Sequence, residues 1–274
     1  MEWRCPVCEQ VLAPVEGGLQ CVNRHRFDRA REGYVNLLPS HRRHSRQPGD
    51  SRMMLRSRRI FLENGYYQAL RDHLTERLVG LAATRARFTL LDAGCGEGYY
   101  TGHIAAELTR RCADTRIEVA GIDIARDAAR LAARRYPGID FAVASSAALP
   151  LGQGTLDALL RVFAPGYGDE ARRVLRAGGH YLTVTPAAAH LGALRGLLYD
   201  HPRPHEDAPE SHPGMTHIAR ETLRFPLRII GEDVTRLLEM TPYYWQVDRA
   251  RQQAVSELPE LTTEAAFHLD LYRN

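Results

Sequence analysis

Three cysteines and a histidine crowd the first 25 residues as Cys5, Cys8, Cys21 and His25, a C-x2-C-x12-C-x3-H spacing. Thiolate and imidazole are zinc ligands, and two pairs on tight turns can converge on one tetrahedral ion. Proline inside "CPVC" and glycines in "EGGLQCVNRH" supply the turns. A disulfide framework fits poorly with five cysteines, an odd count, in a chain that lacks a secretory leader pattern. A thioredoxin-like pair needs a strand before it, and only four residues precede Cys5. Metal is the favoured reading. With four protein ligands its role is structural, and a segment of about 35 residues draws its folding energy from the ion.

A second chemical signal is "LLDAGCGEGYY", which sets Gly94, Gly96 and Gly98 in a G-x-G-x-G loop after an apolar strand. Such a loop lets backbone approach a ligand at the carboxyl edge of a parallel sheet. Asp123 ends the next strand, 25 residues beyond Gly98, where a carboxylate can accept both hydroxyls of a ribose. Glu97 within the loop repels a pyrophosphate but suits a ligand that carries an amino group, which disfavours a dinucleotide.

These residues need elements to hold them. Asp50 or Ser51 can cap a helix that runs to about Glu63 and ends at Asn64-Gly65. A second helix puts Tyr67, Leu70, Leu74 and Leu78 on one stripe and stops at Gly80. Beyond residue 86, apolar strands at 88–93, 117–124, 139–144, 156–163 and 180–186 alternate with helices, one of them covering all of "GDEARRVLRAGG". "FPLRIIG" and "FHLDLY" add two strands, the second suited to antiparallel pairing. The pattern predicts an α/β fold, a mostly parallel seven-stranded sheet covered on both faces. Three regions follow: 1–36 around the cysteines, 37–85 as a basic linker with helices, and 86–274 as the α/β domain.

Every one of the 36 basic residues is arginine. Without lysine there is no Schiff base and no P-loop phosphate lysine. Residues 41–59 hold seven arginines against one acid, Asp50, in a chain of net charge +3. That concentration suits a phosphate backbone. No apolar run reaches membrane-spanning length, and a cytoplasmic protein with no membrane contact is expected.

The hydrophobic-D-x-G-x-G-x-G run resembles motif I of class I, Rossmann-like S-adenosylmethionine-dependent methyltransferases, a likeness that extends over about 86–186. The end of the fourth strand faces the acceptor in that fold. Here it reads "RVFAPG", without the N/D-P-P-Y/F/W motif of amino-methylating enzymes, and Cys95 is the sole cysteine near the loop. Direct transfer to nitrogen or oxygen, or to a small metabolite, remains, and Arg161 and the Ala164-Pro165 backbone fit acceptor contacts and structural roles equally well. No residue identifies itself as a general base.

Longer segments are more specific. "CPVC…CVNRHRFDRAREGYVNLLPS", "QPGDSRMM" and "EMTPYYW" resemble the RlmA family of 23S rRNA guanine-N1-methyltransferases over nearly the whole chain. The resemblance implies a target guanine in hairpin 35 of domain II, an N-terminal zinc-binding RNA-recognition module, and a homodimer whose cleft receives 23S rRNA. It implies that Tyr67, Gly96, Glu97 and His190 contact S-adenosylmethionine, to which the ribose argument adds Asp123. Of the two neighbouring guanines modified within the family, the Gram-negative type is expected. The proline- and histidine-rich segment 199–217 has no counterpart there and reads as a solvated loop. A small-molecule methyltransferase and a non-catalytic RNA-binding protein are the alternatives.

Overall fold

The computed structural model describes residues 1–39 and 49–274. Arg42, Arg43 and Arg46 of the basic stretch therefore lie outside the described residues.

The chain opens with a small antiparallel sheet, β1 (Ala13–Val15), β2 (Gly18–Gln20) and β3 (Arg26–Asp28), in that order. β4 (Val35–Asn36) then leaves this unit and pairs in parallel with a strand of the main sheet, Val35 opposite Ala142. α1 (Arg52–Glu63) starts where Ser51 Oγ accepts from Met54 N–H at 3.2 Å, and Asn64 closes it. α2 (Gln68–Ala82) follows with Tyr67 as its N-cap, and it runs two residues past Gly80.

The main sheet is built from β5 (Arg87–Ala93), β6 (Arg116–Asp123), β7 (Asp140–Val143), β8 (Leu156–Val162), β9 (Leu175–Pro186), β10 (Thr216–Ile230) and β11 (Glu260–Arg273). Its order is β10-β11-β9-β8-β5-β6-β7-β4, with β11 antiparallel to both neighbours and the remaining pairs parallel. Seven strands match the expected set. The eighth, β4, comes from the N-terminal segment, and its two residues were too short to show a period. Helices α3 (Tyr99–Arg111), α4 (Arg126–Arg135), α5 (Gly168–Val174), α6 (Gly192–Leu198), α7 (Glu232–Glu239) and α8 (Arg249–Ser256) complete the chain.

Two expectations need correction. The helix expected over "GDEARRVLRAGG" ends at Val174, because Leu175 to Gly179 extend β9. β10 and β11 are 15 and 14 residues long, twice the apolar cores that marked them. Pro226 is tolerated in β10 because that strand is the sheet edge.

Both faces of β5 are buried, as a parallel core strand requires. Phe88 and Leu90 pack against Leu74 and Leu78 of α2 and Ile104 of α3. Leu91 and Ala93 face the opposite way, into a cluster with Trp3, Cys5, Leu12 and Leu19. The N-terminal unit thus occupies a place on the sheet that a helix would otherwise cover. Arg4 N–H reinforces the contact by donating to the Pro150 carbonyl at 2.8 Å. No described helix is long and apolar enough to cross a membrane.

Candidate zinc site and cofactor cavity

Cys5 and Cys8 lie on a turn before β1, and Cys21 and His25 lie in the β2–β3 connection. Each turn closes on itself: Glu9 N–H donates to the Cys5 carbonyl at 2.8 Å and Arg24 N–H to that of Cys21 at 2.9 Å. Each turn also carries a non-glycine residue in the left-handed region, Glu9 at φ 60° and Arg24 at φ 64°. The four ligand atoms lie within 4.8 Å of one another. Cys8 Sγ is 3.7 Å from Cys21 Sγ, and His25 Nδ1 is 3.3 to 3.6 Å from the three sulfurs. A tetrahedral zinc, with bonds of about 2.3 Å to sulfur and about 2.0 Å to nitrogen, sets separations of about 3.8 and about 3.5 Å. The donor set and its spacing fit a closed, structural zinc. The Gln10 backbone N–H holds the Cys8 thiol down to about 6, while burial pushes the Cys5 thiol up.

The second site is a cavity of about 730 Å³ at the carboxyl edge of the sheet. Gly94, Gly96 and Gly98 all have positive φ, at 86°, 57° and 85°. At Gly94 a Cβ would stand 2.3 Å from the Ala164 Cβ, so glycine is required there for close approach as well as for conformation. At Gly96 a Cβ would meet nothing within 4 Å. Asp123 ties the loop to the next strand, accepting from Gly96 N–H at 2.9 Å and Ala125 N–H at 2.8 Å. Those bonds leave a lone pair on each oxygen for a ligand hydroxyl.

Tyr67, Gly96, Glu97, Asp123 and His190, from four separate segments, all line this cavity. Tyr67 is buried edge-on between Phe61 and Phe267. His190 precedes α6 in a turn where Leu191 has φ 51°. Its Nδ1 accepts from Ala266 N–H at 3.2 Å, which leaves the proton on Nε2, 3.5 Å from the Tyr67 hydroxyl oxygen. Burial drives the His190 pKa down to about 3, so the ring is neutral and serves as a donor rather than a proton carrier.

Three oxygens on residues of the wall are buried without a hydrogen-bond partner: Asp92 Oδ1, Glu97 Oε1 and Tyr100 Oη. Buried orphan acceptors are costly unless a ligand satisfies them. Burial pushes Asp92 up to about 7, against the Thr101 hydroxyl that donates to its Oδ2 at 2.6 Å. Asp123 rises to about 6 for the same reason. Burial also raises Glu97, although Arg135 opposes it from 3.2 Å. Oxygen acceptors at that density fit the ammonium and sulfonium charges and the ribose of S-adenosylmethionine.

Sequence reasoning missed several cavity residues. Tyr99 and Tyr100 were visible as the start of a helix but carried no chemical signal. Phe163 lies in the strand end "RVFAPG", where an aromatic residue reads as ordinary core. His205 and Glu210 belong to the 199–217 segment read as a solvated loop, yet both line the cavity. His205 Nε2 is 3.0 Å from the Tyr243 hydroxyl, and Glu210 Oε2 accepts from Arg161 Nη2 at 2.7 Å. Three of the four described arginines of the basic stretch are held in ion pairs. Arg52 pairs with Asp127, Arg58 with Asp50 and Arg59 with Glu63. Arg56 alone among its described arginines is exposed and outside the ion pairs.

Comparison with known proteins finds a zinc ribbon and a methyltransferase domain in this one chain. A zinc-ribbon family model described as "RlmA, N-terminal" matches residues 3–46, and a "Methyltransferase domain" model matches 90–179. A 23S rRNA (guanine(748)-N(1))-methyltransferase of Streptomyces fradiae is 36% identical over 275 residues, covering 96% of this chain and 94% of that protein. A putative 23S rRNA (guanine-N(1)-)-methyltransferase of Micromonospora griseorubida is 36% identical over 98% and 96% of the two chains. The Bacillus subtilis protein YxjB, with the same putative description, is 30% identical over 93% and 91%. On likeness of that extent, joined to a zinc ribbon and a methyltransferase domain in one chain, the protein belongs to the 23S rRNA (guanine-N1)-methyltransferase family.

Proposed function

We propose that this enzyme transfers a methyl group from S-adenosylmethionine to N1 of one guanine in hairpin 35 of domain II of 23S rRNA. The observation that carries the reading is full-length similarity to the S. fradiae relative, joined to a cavity whose buried, unpartnered oxygens suit the cofactor. The target in that relative's name favours guanine 748 over the Gram-negative-type neighbour that the sequence pattern suggests.

Bound S-adenosylmethionine would supply an already activated methyl group, which leaves the protein to position the acceptor and remove its proton. Tyr67, Gly96, Glu97, Asp123 and His190 are the proposed cofactor contacts. Their convergence on one cavity supports this. Guanine N1 lies on the Watson–Crick edge, so the base must enter the cavity unpaired. The zinc ribbon and the arginines around it are proposed to hold the hairpin through phosphate and loop contacts, and a homodimer cleft to receive it.

Primer extension on 23S rRNA from cells with and without the gene tests the reading, since N1-methylguanine blocks pairing and stops the polymerase. An enzyme-dependent stop adjacent to guanine 748 supports it. A stop at the neighbouring guanine moves the target to the Gram-negative type. Absence of any enzyme-dependent stop in hairpin 35 sinks it.

A further inference from the structure

The tip of β8 carries features that cofactor binding leaves unexplained. Phe163, the residue after the strand, has a left-handed φ of 54°, a conformation bulky residues avoid. It nevertheless leaves 44% of its surface exposed, on the cavity wall. Two residues earlier, Arg161 is 5% exposed, and its Nε has no partner. Arg161 Nη1 donates to the Ala164 carbonyl at 3.2 Å and Nη2 to Glu210 Oε2 at 2.7 Å. Glu210 reaches in from the connection between α6 and β10, with its side chain 42% exposed. Besides Arg161, His212 faces it, with Nε2 3.5 Å from Oε2, and the Tyr181 and Tyr272 phenols lie within reach of its charge, Tyr272 donating its hydroxyl to the Glu210 backbone carbonyl at 2.9 Å.

An unpaired guanine presents O6 as an acceptor beside the N1–H and N2–H donors. A carboxylate next to a guanidinium is the complement of that edge: the carboxylate accepts both N–H groups, and the guanidinium donates to O6. An aromatic ring exposed beside the pair offers the face on which an extruded base stacks.

We propose, resting on the guanine-N1 reading above, that Glu210 reads the target guanine through N1–H and N2–H and accepts the N1 proton, with Arg161 at O6 and Phe163 under the ring. As the proton passes to the Glu210 carboxylate, the N1 electron pair forms the bond to the methyl carbon of S-adenosylmethionine. That carbon's bond to sulfur breaks, and its pair stays on sulfur. The products are N1-methylguanine, the neutral thioether and protonated Glu210, which returns its proton to water.

The test uses the full-length, zinc-loaded protein with a hairpin RNA. Glu210→Gln should lower kcat by about 100-fold or more, the size of a general-base contribution, with S-adenosylmethionine affinity by calorimetry within twofold of wild type. Glu210→Asp should recover part of the loss. Without cofactor, wild type should bind the guanine hairpin about tenfold more tightly than one with inosine at the target, which lacks the 2-amino group, and Glu210→Gln should erase that preference. A Glu210→Gln enzyme within threefold of wild-type kcat overturns the proposal. So does a slow variant that keeps both the guanine preference and the wild-type pH profile, since Glu210 would then be structural. Failure of wild type itself to methylate the hairpin guanine would instead strike at the guanine-N1 reading.

Discussion

The zinc site and the cofactor cavity solve the same problem, holding a charged group, by opposite means. The first uses four side chains from 21 consecutive residues, each a ligand in its own right. The second is walled by backbone in left-handed conformations and by polar side chains from four segments between Tyr67 and His190. A site of ligands fails as a unit when one is lost. A site built of backbone and shared walls fails by degrees, according to what each change displaces.

The largest effect is therefore expected at the ribbon. Cys21→Ser should lose the zinc, read by metal analysis, and with it most of the order of the three-stranded sheet, because metal binding and folding are one equilibrium in such units. Trp3, Leu12 and Leu19 share a core with Leu91 and Ala93 of β5, so the damage should reach the main sheet as a lowered melting temperature. A chelator should do the same to wild type. An unchanged melting temperature would mean that the ribbon rests on its apolar contacts alone.

In the cavity the contrast lies between two glycines of one loop. Gly94→Ala drives a Cβ into Ala164 at 2.3 Å, on a backbone at φ 86°. Strain of about 1–3 kcal/mol from conformation alone, plus the clash, should cost about 100-fold or more in S-adenosylmethionine affinity. Gly96→Ala meets no atom and carries only the conformational cost at φ 57°, about 1–2 kcal/mol or roughly tenfold. Equal losses in calorimetry would show that the close approach of Ala164 plays no part.

The cavity should also betray itself by pH. Asp92 titrates at about 7 and Asp123 at about 6 in the folded chain, both raised by burial, against about 4 when unfolded. The folded state binds more protons between those values, so this contribution to stability is full below about pH 4 and lost as pH rises toward 7. Cofactor binding should run the other way, as ionised carboxylates attract a cation. Affinity should rise about tenfold between pH 5.5 and 7.5, and Asp92→Asn should flatten the rise. A flat wild-type profile would mean that neither acid changes charge on binding.

Legibility follows the same division. The ribbon's ligands were readable because cysteine and histidine announce their chemistry and the spacing does the rest. The glycine loop and Asp123 were readable because a positive φ calls for glycine and a carboxylate at the end of the second strand can tie that loop in place, as Asp123 does through Gly96 N–H. Asp92 carries no such signal, since its orphaned Oδ1 exists only once α3 packs over it. Glu210 and His205 were unreadable because nothing in "YDHPRPHEDAPESHPGMTH" predicts that the chain returns across the cavity. β9 overran the helix expected before it because "LRAGG" carries no apolar period, and its pairing with β8 decided the outcome.

The smallest expected effect is a control on this reasoning. Gly80 lies inside α2 with no left-handed φ, is exposed, and has open space where a Cβ would go. Nothing there needs glycine, and an exposed helical glycine costs about 0.5–1 kcal/mol relative to alanine through chain entropy. Gly80→Ala should therefore raise the urea midpoint slightly, leaving zinc content and cofactor affinity unchanged. Loss of affinity in this variant would mean that α2, which begins beside Tyr67, transmits strain to the cavity, and the graded response of Gly94 and Gly96 could no longer be assigned to their own contacts.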